Sequence, residues 1–566
     1  MTYNIGMYVR TVTRRNKDGS IVRYLQLAHN EWDPQRKCAV ARVLYNFGRA
    51  EEVDREAVRR LVESLSRLLP PVEAAETQAR IQGLADVHAE SSRPFGGAWL
   101  LDHLWQRFGI DAVLRRLLAE RRFKSPVERA LFALVANRAL APSSKLQVED
   151  WVARQVVIPG LPEVAVQHLY RAMDFLLEAG EELQREVFFR VANFLNLQVD
   201  LLYFDTTSTY FEIEEPDAPG EGIRRHGYSR DRRGDLPQVV IGLAVTKEGL
   251  PVRCWVWPGN TNDVSVVEEV KRDLVGWQLG RVIMVVDRGC TSEDNLAALA
   301  AGGGHYIAGE YLRRGKAAVE EVLRQPGRYT VVRHNLEVKE VYVGVGESRE
   351  RYILVRNPQQ AVRDRAAREE LLAELRAQLA ALKGEKDARR YADKVRALLE
   401  HPRFKRYLVW DAAAGRPKID QAKVRAEARL DGKYLLRTSD STLTPEQVAL
   451  GYKQLLEVEE AWRTLKHTLS LRPVYHRLED RIRAHVLLCW LALLLVRVAE
   501  NATGSSWAVL RDELQLLHLV ELRAGKERML VTTSPTAAMR GIFEALNLPL
   551  PPRVYEARAG RRKAKD

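Results

Sequence analysis

Three carboxylates stand where side chains could hold divalent cations. Asp205 closes the apolar run Val199–Phe204 (LLYFDTTSTYF), and Asp287 closes the run Arg281–Val286 (VIMVVDRGCTS). A carboxylate at the end of a buried strand is rigidly aimed and still reaches solvent. Hard ions such as Mg²⁺ take oxygen ligands and keep several waters, so a few carboxylates suffice. Two such ions about 4 Å apart can stabilise both the attacking and the leaving oxygen of a phosphodiester displacement. The flanking residues suit an anionic substrate: Thr206-Thr207-Ser208 offers hydroxyls, and Arg288-Gly289 offers a cation and an adaptable backbone. Taken singly, either Asp reads more readily as a turn residue, since Asp is common in such turns; the two together, in the strand order given below, favour the chemical reading.

The third carboxylate lies in GYKQLLEVEEAWRTLKHTL, where Tyr452, Glu459 and Lys466 recur every seven residues. Seven residues make about two helical turns, so one helix would carry all three on one face, with Arg463 a turn beyond Glu459. A ring, a carboxylate, a guanidinium and an ammonium in one stripe suit metal and phosphate contacts. The same spacing also describes a solvated helix with a Glu459–Arg463 ion pair worth about a few tenths of a kcal/mol. Glu457 and Glu460 fall off that face.

The elements that must position these groups follow from periodicity. Val199–Phe204 is a strand; Gln238–Thr246 and Pro251–Trp257 form a hairpin about Lys247-Glu248-Gly249; Asp263–Leu274 is helical, with Asp263 as its cap; Arg281–Val286 is a buried strand; Ser292 caps the helix Glu293–Ala301. Strand, two hairpin strands, helix, strand and helix, with acids ending the first and last strands, is the skeleton of an RNase H-like fold. Before it come a small antiparallel unit (Met7–Thr13, Ile21–Leu27 around Lys17-Asp18-Gly19, and Ala39–Phe47), a helix Val53–Leu69 stopped by Pro70-Pro71, and helical stretches Trp99–Leu118, Pro126–Ala139 and Val164–Leu195. After it, Tyr306–Asn357 is largely strand-like and Gln360–Leu399 is a highly charged helical run, with strand signals again at Tyr407–Trp410 and Tyr434–Ser439. The expected class is α+β and multidomain: residues 1–95 a β unit plus helix, 96–198 an all-α domain able to grip DNA, 199–301 and 443–500 the two parts of an RNase H-like mixed-sheet core, 302–442 a β-rich and helical insertion, and 501–566 a helical region ending in the basic tail Arg558–Lys565.

The spaced helix and the two acid motifs resemble the bacterial insertion-sequence DDE transposases with a Tyr–Arg–Glu–Lys signature. Tyr452, Glu459 and Lys466 fit that spacing, whereas Leu455 stands in the Arg position and Arg463 is the candidate substitute. HGYSRDRRGDLPQVVIGLAV, WPGNTNDVSVV and EDRIRAHVLL are similar to the family as well. The resemblance implies metal-dependent cleavage at element ends and transfer of the freed 3′-hydroxyl into target DNA, by a cut-and-paste route. It implies Mg²⁺ or Mn²⁺ on Asp205, Asp287 and Glu459, two ions per site, with Tyr452, Arg463 and Lys466 on the DNA backbone; Thr207 and Arg288 are expected on the DNA from their own chemistry beside the acids. Trp410, the Trp of the insertion, is the positional candidate for holding a flipped-out base; a core-packing role is equally open. The partner would be double-stranded DNA, at element ends and target, bound by a homodimer in the synaptic complex.

Composition agrees with this reading without requiring it. The 566 residues exceed what one core usually supports, and the net charge of +13 suits a polyanionic partner. Cys38, Cys254, Cys290 and Cys489 show neither a disulfide framework nor zinc-finger spacing. The most apolar stretch, Val486–Val496, is about half the roughly 20 residues that span a bilayer, so a cytoplasmic protein is expected. Asp231 and Asp235 read as turn residues; His226 and His485 could lie near the site. Two readings compete with an active enzyme: a catalytically inactive DNA-binding descendant, and a metal-independent two-carboxylate glycosidase, which the basic balance disfavours.

Overall fold

Alternating polar and apolar residues in the first fifty positions form three antiparallel strands, β1 (Tyr8–Arg15), β2 (Ile21–Asp33) and β3 (Cys38–Arg49), paired in that order. The computed structural model describes residues 6–558 except 18–19, 67, 71–72, 74–86, 120, 122, 124, 198, 214, 219–220, 278, 280, 314, 347–348, 473, 475 and 525–526. The turn expected at Lys17-Asp18-Gly19, the stop at Pro70-Pro71 and the tail Arg558–Lys565 lie wholly or partly outside the described residues, as does the Asp263 side chain. Helix α1 (Arg55–Ser66) and strand β4 (Val87–Pro94) follow.

The helical segment divides more finely than its periodicity predicts. It comprises α2 (Gly96–Arg107), α3 (Ile110–Leu118), α4 (Val127–Leu140), α5 (Lys145–Asp150), α6 (Val166–Glu178) and α7 (Gly180–Phe194). Gly109, at φ 63°, separates α2 from α3, a left-handed conformation open to glycine at little cost.

A nine-stranded mixed sheet positions the acids. Its strands are β5 (Leu201–Tyr210), β6 (Gln238–Thr246), β7 (Pro251–Pro258), then, after α8 (Val267–Val275), β8 (Ile283–Val286), and after α9 (Glu293–Ala300), β9 (His305–Glu310). Beyond α10 (Ala317–Arg324) come β10 (Thr330–Arg333), β11 (Leu336–Val343) and β12 (Glu350–Arg356). Next are α11 (Pro358–Leu382), α12 (Ala388–Glu400), the two-stranded β13 (Leu408–Asp411) and β14 (Arg416–Ile419), α13 (Gln421–Ala428) and β15 (Lys433–Thr438). The order across the sheet is β10-β11-β12-β15-β9-β8-β5-β6-β7. β5 lies antiparallel to β6 and parallel to β8, and β8 is parallel to β9. The strands of residues 302–442 thus continue the same sheet, while α11, α12 and β13 enclose a small apolar cluster of their own around Leu375 and Leu408.

Helices cover both faces, as a sheet apolar on two sides requires. Phe204, Met284 and Val286 pack with Val270 and Leu296 of α8 and α9. Tyr203, Val285 and Ile307 pack on the opposite face, in a core shared with α2–α7, α14 (Pro445–Lys453), α15 (Leu456–Arg463) and α16 (Glu479–Thr503). Residues 96–198 therefore share their core with the sheet. α16 is longer than its apolar centre suggests, long and apolar enough by length and composition to cross a membrane, and 94% of that apolar window is buried inside the protein. A helix apolar all round belongs in a core.

The C-terminal segment, expected to be helical, contains α17 (Trp507–Leu514) and α18 (Ala537–Ala545) but also β16 (His518–Ala524), β17 (Glu527–Thr532) and β18 (Val554–Arg558). These strands form a sheet in the order β18-β17-β16-β4. Their alternation is short, and their partner β4 comes from the other end of the chain, so local periodicity understates them. The chain divides into two compact units: Met1–Ser92 with Val520–Val531 and Val554–Asp566, and Arg93–Leu519 with Thr532–Arg553. The candidate site belongs wholly to the second.

Candidate active site

Asp205 and Asp287 are brought side by side by strand register. Phe204 pairs with Val286 across the parallel β5–β8 ladder, so the two aspartates follow in register. Asp287 comes directly after β8, as expected, but Asp205 does not end its strand: β5 continues to Tyr210 because its hydroxyl-bearing residues pair with β6. Side chains alternate between faces; with Tyr203 and Val285 on the face covered by α14–α16, both aspartates project to that face.

Each has a specific partner. Arg230, from the loop between β5 and β6, places Nη1 at 3.2 Å and 3.5 Å from the two carboxylate oxygens of Asp205. Its Nη2 donates to Thr206 Oγ1 at 2.7 Å, and its backbone N–H to Ser208 Oγ at 3.1 Å. Asp287 accepts the Tyr452 hydroxyl at 3.1 Å. Burial, then the Asp287 charge beside it, pushes the Tyr452 phenol well above its ordinary pKa. A glycine makes this possible: a Cβ on Gly309 would collide with the Tyr452 hydroxyl.

The helix expected to carry Tyr452, Glu459 and Lys466 on one face is not continuous. α14 ends at Lys453, α15 begins at Leu456, and a wider π turn, Thr464–Thr468, follows. Across the break, Leu455 and Val458 bond back three residues instead of four. Gln454 is held there by the Tyr203 hydroxyl at 2.9 Å, and Leu455 is buried. Neither Gly nor Pro marks the site, so sequence periodicity runs straight through it.

The remaining predicted residues separate accordingly. Glu459 and Arg463 are exposed, and no ion pair joins them. Lys466 turns inward, 3.1 Å from Asp231, which also pairs with Arg472. Thr207 is buried on β5. Arg288 is exposed beside Asp287. Trp410 stands on β13, 46% exposed, which excludes a core-packing role. Glu457 and Glu460 pair with Arg497, away from the aspartates as their helical angle predicts. His485 is buried against the Leu471 carbonyl and Lys145, not beside the aspartates. Arg230 and Arg472 are not among the expected site residues, and Asp231 is expected only as a turn residue; the sequence signal for Arg230 and Asp231 is the dense charge of SRDRRGD, and Arg472 has none of that kind.

Two carboxylates in register on adjacent strands provide the hard oxygen donors that a divalent cation takes. The third is not assembled with them: among the described residues no three His, Cys, Asp or Glu side chains group to hold a metal ion. The aspartate pair fits a divalent ion; the three-carboxylate set does not form in this arrangement, where Arg230 supplies the countercharge to Asp205.

Mixed-sheet topology and a paired-aspartate site define the kind of protein that comparison with known families makes specific. Residues 208–495, just over half the chain, match the transposase DDE domain, and residues 9–77 match the N-terminal domain of IS1634 family transposases. The chain belongs to the bacterial insertion-sequence DDE transposases. Domains of this family generally use divalent metal ions. The matched span includes Asp287 and Glu459 and begins at Ser208, just beyond Asp205. No curated protein matches the chain. Among solved structures, the piggyBac transposase synaptic complex with hairpin DNA aligns at 11% identity and TM-score 0.34, over 74% of this chain and 78% of that one. A likeness that low carries no conclusion.

Proposed function

We propose that the chain is an active cut-and-paste transposase that cleaves DNA at the ends of its element and joins the freed 3′-hydroxyl to target DNA. The observation that carries this is the register of Asp205 with Asp287 at the centre of the order β9-β8-β5-β6-β7, which supports an RNase H-like core for residues 199–301 and 443–500 with residues 302–442 inserted.

Asp205 and Asp287 hold the cation side of the site, and Glu459, exposed on α15, is the third ligand once DNA is engaged. Mg²⁺ or Mn²⁺, two ions per site, would supply an activated nucleophile and charge neutralisation at the scissile phosphate. Tyr452 orients Asp287, and Arg230 aims Asp205. Arg288 and Arg463, both exposed, meet DNA phosphates. Lys466 and Thr207 are packed inward and act by positioning, Lys466 through Asp231. The exposure of Trp410 supports a base-holding role. Double-stranded DNA is the substrate, a homodimer forms the synaptic complex, and the protein works in the cytoplasm.

The test is cleavage of a fragment carrying the element's own ends, with Mg²⁺, Mn²⁺ or EDTA, by wild type and by Asp205→Asn, Asp287→Asn and Glu459→Gln. Metal-dependent cutting that falls at least about 10³-fold in each variant, with DNA binding retained, is the expected result. Binding without cutting by the wild type would make it an inactive descendant. Undiminished cutting by Glu459→Gln would remove that residue from the site.

A further inference from the structure

On the same side of the sheet as the aspartates, α4, α5, α6, α16 and the segment after α15 enclose a cavity of about 490 Å³. Its wall carries Arg138, Lys145, Arg472, His476 and His485, and no Asp or Glu among the described residues. Arg138 and Lys145 are 4% and 5% exposed. The nearest polar partner of the Lys145 ammonium is His485 Nδ1 at 3.4 Å. Arg138 donates to carbonyl and amide oxygens of Ser470, Asn137 and Ser143, and its buried Nε has no partner.

Two enclosed cations without a carboxylate are costly, because a buried charge is stable only when paired and hydrogen-bonded. Burial, then the neighbouring Arg138, pushes the Lys145 pKa well below its ordinary value. A multiply charged oxyanion in the cavity would reverse that.

We propose that this cavity is a phosphate site that receives the terminal 5′-phosphate of a cleaved DNA strand. The assignment to DNA rests on the transposase reading; the phosphate chemistry rests on the cavity. Depth selects the ligand. A phosphodiester within an intact duplex is flanked by nucleosides and is met by surface cations. A terminal phosphomonoester carries close to two charges near pH 7 and can enter end-on. The cavity is also connected to the candidate active site: Arg472 on its wall pairs with Asp231, the neighbour of the Arg230 that holds Asp205.

The experiment uses the full chain in EDTA, so that binding is read without cutting. Duplexes of the element end bearing a recessed 5′-phosphate or 5′-hydroxyl are compared by fluorescence anisotropy, with inorganic phosphate as competitor and as the ligand in thermal shift. The wild type is expected to prefer the 5′-phosphate by about 10-fold or more, the scale of a charge-assisted contact. Inorganic phosphate should erase the preference and raise the melting temperature, and Lys145→Met should remove both effects. The wild-type preference and its competition by phosphate test the site without any variant, should Lys145→Met fold poorly. Equal affinity for the two ends with no thermal shift by phosphate would overturn the proposal. A phosphate thermal shift without end preference, or without DNA binding, would leave a free-phosphate site and overturn the assignment to DNA. Cleavage is not read here, so failure of the catalytic reading is recognised separately.

Discussion

The Arg230 guanidinium grips Asp205 and Thr206 together, lying 3.2 Å from the nearer carboxylate oxygen and 2.7 Å from the Thr206 hydroxyl. A cation approaching Asp205 must share that carboxylate with a charge already present. Arg230→Gln is therefore expected to tighten Mn²⁺ binding to the DNA-free protein by about 3–10-fold, consistent with roughly 1 kcal/mol for a partly exposed pair. Titration calorimetry reads this directly; unchanged or weaker binding would show that Arg230 does not compete.

Tyr452 reaches Asp287 through the space left by Gly309. Gly309→Ala should cost about 1–3 kcal/mol from overpacking, and Tyr452→Phe about 1 kcal/mol from the lost hydrogen bond. In the double variant the two costs should not add, because the colliding hydroxyl is absent. Urea denaturation of the four proteins gives the coupling; strict additivity would mean that the contact is not made.

Asp231 serves two cations, Lys466 and Arg472, and all three side chains are mostly buried. Asp231→Asn should destabilise by about 2–3 kcal/mol, since it strands charges that remain enclosed. Adding Lys466→Met should recover part of that loss in the same denaturation experiment. No recovery would place the cost elsewhere.

His476 faces Lys145, Arg138, Arg481 and His485, and burial, then these charges, pushes its pKa from 6.5 down to about 4. Between these values the unfolded chain binds a proton that the native state does not. Stability is therefore complete above about pH 6.5 and is lost as pH falls toward 4, by roughly 3 kcal/mol in total. In phosphate-free buffer, His476→Gln should lose about 2–3 kcal/mol less than wild type between pH 7.5 and 4.5. An equal loss would show that His476 is not desolvated.

Much of this was legible locally. Asp205 and Asp287 announce themselves because an apolar run followed by an acid is a contiguous pattern, and the Lys247-Glu248-Gly249 turn fixes the β6–β7 hairpin. Ser292 caps its helix as expected, its side chain accepting from the Asn295 N–H. The helix break at Gln454-Leu455 was not legible, because α14 packs on β9, β11 and β12 while α15 packs on β5 and β6. The chain must redirect between them, and the Tyr203 hydroxyl that holds Gln454 comes from a distant strand.

The sequence by itself determined most strands and helices of the catalytic region and the two acids that follow its apolar runs, because hydrophobic period and turn chemistry act over neighbouring residues; it did not determine that β5 runs on past Asp205 to Tyr210, or the strands of the C-terminal segment. Tertiary structure alone decided that Arg230 would hold Asp205, that Lys466 would turn to Asp231 and leave Glu459 outside, and that Arg138 and Lys145 would face one cavity. Those arrangements depend on elements that meet only in the fold, and their energies depend on burial and charge that exist only once the sheet and its helices have closed over them.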